Sequence, residues 1–171
     1  MARSPSSPGV PAEAALRAGL ASSELTVDDA EAMRALGAAL AGVAGPGDVL
    51  CLFGDLGAGK TQLAKGFGAG LGVDQTVNSP SFVLMAEYRG RLPLFHIDLY
   101  RLAGGGVAIS DGLLDERQAD GVTLIEWADR LGDALPASRL DVRIDGTGDG
   151  LRIVRLAPSD AAQARYLEAI P

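Results

Sequence analysis

One octapeptide carries the densest chemistry in this sequence: Gly54-Asp55-Leu56-Gly57-Ala58-Gly59-Lys60-Thr61. Its form, G-x-x-x-x-G-K-T, suits a loop that wraps phosphate groups. The glycines permit backbone conformations closed to other residues and bring N–H groups close to phosphate oxygens. The N-terminus of a following helix adds partial positive charge. Lys60 is placed to reach the β- and γ-phosphates of a nucleotide, and the Thr61 hydroxyl to ligate Mg²⁺. The candidate contacts are Gly57, Ala58, Gly59, Lys60, Thr61 and Gln62. Only two lysines exist in the chain, Lys60 and Lys65.

A phosphate loop of this kind works with an acidic group near the metal, usually at the end of a neighbouring strand. Asp98, Glu126 and Asp145 each stand at the end of an expected strand. Asp145 is set aside: its run alternates charged and apolar residues, and the glycines after it suit a hairpin turn. It gives D-x-x-G with Gly148, but the chain has no N-K-x-D segment to read guanine. Asp98 and Glu126 follow runs that read as buried strands, where a carboxylate is costly unless a metal or donors pair with it.

These groups need elements to hold them. Val49–Phe53 is apolar throughout and bounded by glycines, which predicts a strand buried on both faces. Leu63, Phe67 and Leu71 recur at helical spacing after the loop; Gly66, Gly68 and Gly70 are expected to pack closely against the sheet. Upstream, Thr26 with Asp29 predicts a helix start, and Met33, Leu36, Leu40 and Val43 carry that helix to Gly45. Ser81–Tyr88 and Leu92–Leu99 predict two strands joined at Arg89-Gly90-Arg91. A helix over Ser110–Asp120, a strand over Val122–Ile125 and a hairpin of Leu140–Ile144 with Leu151–Leu156 follow. Ser159 is expected to open a last helix. The pattern predicts an α/β domain with a central mixed sheet flanked by helices.

Composition bounds the reading. The 171 residues are 47% hydrophobic and 22% charged, as in a globular protein. That length suits one domain, expected over 23–171, with a Pro-rich, disordered tail over 1–22. The net charge of −7 argues against a broad nucleic-acid face. One cysteine and one histidine exclude an internal disulfide and a His-rich metal site. No apolar run is long enough to span a bilayer, so no membrane partner and a cytoplasmic location are expected.

Four segments in order, Gly54–Thr61, Asn78-Ser79-Pro80-Ser81-Phe82, His96-Ile-Asp98-Leu-Tyr-Arg-Leu102 and Leu124-Ile-Glu126-Trp127-Ala-Asp-Arg-Leu131, resemble the bacterial TsaE family. The resemblance covers about residues 24–157. It implies a P-loop nucleoside triphosphate hydrolase-like fold. It further implies an Mg²⁺-dependent ATPase of tRNA threonylcarbamoyladenosine (t⁶A) biosynthesis. TsaE-like proteins act with TsaD and TsaB, which carry threonylcarbamoyl to the adenosine beside the anticodon; tRNA is met through that complex, and TsaE is not the transferase. By this resemblance Lys60, Asp98 and Glu126 are the catalytic groups, and Thr61, Asp98 and Glu126 surround the metal. Trp127 lies beside the nucleotide, and Ser79-Pro80-Ser81 is a switch loop facing the γ-phosphate.

The sequence departs from the family at Gln62, where a second Thr is usual, at Ser81 in place of Thr, and at Gly104-Gly105-Gly106 in a segment usually more acidic. Glu126, or Asp98 through a water, would orient the attacking water. No arginine finger is assigned, so turnover alone should be slow and partners should raise it. His96 shares strand parity with Asp98 and is weighed as proton carrier or structural histidine. The competing reading is a small-molecule kinase; Arg117 and Arg130 are available for it, but no clustered lid signature exists. The region near Gly148–Gly150 and the first helix start near Thr26 are candidates to frame the base.

Overall fold

The computed structural model describes residues 20–80, 84–101 and 114–170. A seven-stranded mixed sheet forms its centre, in the order β1-β7-β6-β2-β5-β4-β3. The strands are β1 (Ser23–Val27), β2 (Val49–Phe53), β3 (Met85–Tyr88), β4 (Leu94–Asp98), β5 (Val122–Glu126), β6 (Leu140–Asp145) and β7 (Arg152–Pro158). β6, β2, β5 and β4 run parallel, while β1, β7 and β3 pair antiparallel at the margins. Two α-helices cover one face: α1 (Ala30–Gly42) and α2 (Lys60–Gly70). Among the described residues, no helix is long and apolar enough to cross a membrane.

β2 is apolar at every position because both its faces are covered. Leu50 and Leu52 join the larger core beneath α1 and α2, with Leu40, Leu63, Phe67 and Leu124. Cys51 and Phe53 point the other way, into a smaller cluster with Ile97, Leu99, Ile125 and Leu131. Burial pushes the Cys51 thiol pKa well up, so this cysteine acts as a core residue.

Several elements start or end elsewhere than the sequence suggests. Thr26 lies in β1, paired with Ile153 of β7, so it opens no helix. Asp29 is the cap of α1, its carboxylate accepting from Ala32 N at 2.8 Å. α1 ends at Gly42, three residues before Gly45. Gly66 and Gly70 meet helix α1 and not the sheet. A β-carbon on Gly66 would stand 1.9 Å from Arg34 O, and one on Gly70 2.7 Å from Ala38 O. Ser159 is held on Arg139 by its N–H and its hydroxyl, and Asp160 caps the last segment. That segment, Ala161–Ala169, is a 3₁₀ helix. Of the helix expected over Ser110–Asp120, Glu116–Asp120 is a 3₁₀ helix and residues 110–113 lie outside the described residues. Residues 1–19 of the expected tail lie outside them too.

Candidate functional site

The phosphate loop connects the end of β2 to the start of α2. Gly54 sits at φ +154°, and a β-carbon there would stand 2.6 Å from Ile144 O. Gly59, at φ +114°, is the N-cap of α2 and offers no side chain to its first turn. The leading N–H groups of that helix are therefore left for a ligand.

Lys60 folds back over the loop. Its ammonium donates to Gly54 O at 2.5 Å and Asp55 O at 2.9 Å. It also lies 3.9 Å from the centroid of the Trp127 ring, a cation–π distance. Burial holds the Lys60 pKa below the usual lysine value, opposed by the charges of Glu126, Asp129, Asp98 and Asp55. Trp127 is the one described residue other than glycine with positive φ, at +59°. Tyr100 packs on it, ring centroids 4.9 Å apart.

Glu126 ends β5 and is only 2% exposed. The Thr61 hydroxyl lies 3.2 and 3.1 Å from its two oxygens. His96, fully buried on β4, meets Oε1 through Nε2 at 2.9 Å. Among the described residues, the opposite ring nitrogen, Nδ1, is buried without a partner. A proton there would be a buried unpaired donor, so the hydrogen-bond network assigns the proton to Nε2, which donates to Glu126. Asp98 pairs in register with Glu126 on the adjacent strand. It accepts from the Ser79 hydroxyl and, at 2.9 Å, from Tyr100 N.

A cleft of about 440 Å³ gathers most of the expected groups. Gly57, Gly59, Lys60, Thr61 and Gln62 form one wall, with Ser79, Asp98, Glu126 and Trp127 around them. Gln62 is anchored by Arg34 at 2.7 Å. Pro80 follows Ser79 in the described chain, while Ser81 lies outside it. Ala58 faces a second hollow of about 310 Å³ on the other side of the loop. Asp28, Asp29 and Met33 at the start of α1 line it, with Gly148, Asp149 and Gly150 of the β6–β7 turn. Asp145 lines neither cavity and pairs with Arg155. Arg117 pairs with its neighbour Asp115.

The donor set fits a hard cation. A buried carboxylate can accept about four hydrogen bonds. Among the described residues Glu126 receives hydrogen bonds from His96 and Thr61, and it lines the cleft. A hydroxyl and one or two carboxylates, completed by phosphates and water, are the oxygen ligands Mg²⁺ takes. The sequence missed Tyr100 and Arg152. The first lay inside a recognised segment, and the second had no local signal.

Strand, glycine loop and helix beside a parallel strand that ends in a carboxylate define an α/β protein of the P-loop nucleoside triphosphate hydrolase-like class. A family model described as threonylcarbamoyl adenosine biosynthesis protein TsaE matches residues 27–154. The chain belongs to the TsaE family. A Bacillus subtilis (strain 168) tRNA threonylcarbamoyladenosine biosynthesis protein TsaE is 45% identical over 123 residues, covering 71% of this chain and 77% of that one. A Streptomyces coelicolor protein of the same name is 44% identical over 128 residues, covering 72% and 86%. The crystal structure of Bacillus subtilis YdiB superposes with a TM-score of 0.70 at 34% identity, covering 86% of this chain and 93% of that one.

Proposed function

We propose that this chain is an Mg²⁺-dependent ATPase that serves tRNA threonylcarbamoyladenosine biosynthesis as a nucleotide-dependent switch. It acts as one domain in the cytoplasm, with TsaD- and TsaB-like partners, and meets tRNA through them. The observation that carries the reading is the meeting of Lys60, Thr61 and Glu126 at the mouth of the glycine loop. The family resemblance supplies the adenine; the hollow between α1 and the β6–β7 turn is the place for the nucleoside.

Each side chain has a task. Lys60 exchanges its carbonyl partners Gly54 and Asp55 for phosphate oxygens. The N–H groups at the start of α2 hold the same phosphates. Thr61 and Glu126, with Asp98 beside them, would hold Mg²⁺, which would supply positive charge to the nucleotide's phosphates. His96 fixes the Glu126 carboxylate in place. Asp98 orients the attacking water, and its bond to Ser79 ties the start of the expected switch segment to the site. A γ-phosphate competes for those contacts, and its loss returns the loop to Asp98, which is the switch.

Phosphate release from ATP–Mg²⁺ tests this, with the chain alone and with TsaD- and TsaB-like proteins. Slow release alone, stimulation by the partners and loss in Lys60→Ala are expected. Transfer of labelled γ-phosphate to a metabolite would support the kinase reading instead. ATP binding without turnover in either setting would sink the proposal.

A further inference from the structure

Arg152, the first residue of β7, reaches the phosphate loop from the opposite side to Lys60. Its Nε donates to Ala58 O at 3.0 Å and its Nη2 to Gly57 O at 3.3 Å. The same guanidinium donates to Gly148 O at 2.6 Å and Gly150 O at 2.5 Å, in the β6–β7 turn. A guanidinium has five N–H donors in one plane. Four are engaged here, two on the loop and two on the turn.

Planarity turns this grip into orientation. In a trans peptide the C=O and the following N–H point opposite ways. Holding the Gly57 and Ala58 carbonyls toward Arg152 turns the Ala58 and Gly59 N–H groups away from it. Ala58 N–H then closes the turn on Asp55 O at 3.0 Å. Gly59 N–H, on the far side of the Ala58–Gly59 peptide plane, is turned away from Arg152. Gly57 and Gly59 have positive φ, conformations with many alternatives open to glycine. A loop built from them needs an outside brace to hold one shape. Arg152 also lines the hollow with Asp28, Asp29 and Asp149 and is the cation among those acids.

We propose that Arg152 is a positioning residue that presets the phosphate loop and couples it to the β6–β7 turn. Contacts to a nucleoside at the turn and to phosphate at the loop then reinforce one another. The inference rests on the nucleotide-binding reading above.

The test is calorimetric binding of ATP and of inorganic tripolyphosphate to the wild type, Arg152→Ala and Arg152→Lys. Hydrogen exchange of residues 54–61 in the ligand-free chains accompanies it. The expected result is tripolyphosphate affinity about tenfold weaker or more in both variants. ATP should lose more than tripolyphosphate does, and exchange should quicken in 54–61 while α1 keeps its protection. Tripolyphosphate affinity within about twofold of wild type would overturn the inference. So would a loss confined to ATP, which would place Arg152 on the nucleoside alone. Should Arg152→Ala fail to fold, Arg152→Lys decides: one ammonium cannot span loop and turn, so wild-type binding by it refutes the brace. A wild type that binds neither ligand would overturn the nucleotide reading itself, and the inference with it.

Discussion

At the scale of single residues, the buried His96–Glu126 contact decides how well the site is held. Glu126 is nearly out of reach of water, and its donors are a histidine N–H and a hydroxyl. A hydrogen bond to a charged group contributes about 1.5–3 kcal/mol. His96→Ala is expected to lower partner-stimulated phosphate release about tenfold or more. His96→Gln, which offers an amide N–H over a similar reach, should keep more of it; equal losses would mean that ring volume matters and the N–H does not. The loop Gly54–Thr61 was legible because its glycines, lysine and threonine are adjacent in sequence, and backbone geometry needs nothing else to assemble them. Shared parity put His96 and Asp98 on one face, but which acid the histidine meets depends on the pairing of β4 with β5. Arg152 was illegible for the same reason, since its partners lie across the sheet at Gly57 and Ala58.

At the scale of elements, caps and edges set the boundaries. Asp160 caps the last 3₁₀ helix, accepting from Gln163 N. Its pKa lies below the ordinary aspartate value of 3.8, chiefly through the Ser138 hydroxyl and then the backbone N–H groups of Gln163 and Ala162. A depressed folded value means that the unfolded chain binds the proton more readily. The cap's contribution is thus fully present above 3.8 and fades as pH falls through the lowered value. Asp160→Ala should cost about 1 kcal/mol at neutral pH and progressively less in acid, measured by denaturant unfolding across pH. β2 and β5 were readable as strands because both faces are buried: β2 is apolar throughout, and β5 is interrupted by Thr123 alone before Glu126. β1 was not: Ser23, Leu25 and Val27 alternate with exposed Glu24 and Thr26, a pattern too short to stand without β7. The spacing predicts Thr26 as the cap, with Asp29 as its partner three residues on. Pairing with Ile153 took the first, leaving the second.

At the scale of the whole molecule, the sheet is the frame and the two helices lie on it as a tightly joined pair. Gly37 of α1 and Gly66 of α2 let the backbones touch. A β-carbon on Gly37 would stand 2.2 Å from Leu63 O, nearer than any side chain tolerates. Gly66→Ala should therefore cost about 3 kcal/mol in thermal or denaturant unfolding. Because α2 begins at Lys60, the same change should weaken nucleotide binding. An unchanged midpoint would show that the helices part readily. The C-terminal segment packs beside them on the same core: Tyr166 donates to Asp48 at 2.5 Å, and Arg165 pairs with the same carboxylate. The antiparallel pairing of β1 with β7 joins an early strand to a late one. On the ribosome β1 emerges long before its neighbour, so it waits without a partner while the intervening strands are made. The guanidinium that braces the glycine loop arrives with that same late strand. A nascent chain halted before β7 would carry the whole Gly54–Thr61 segment and still lack the side chain that holds its Gly57 and Ala58 carbonyls.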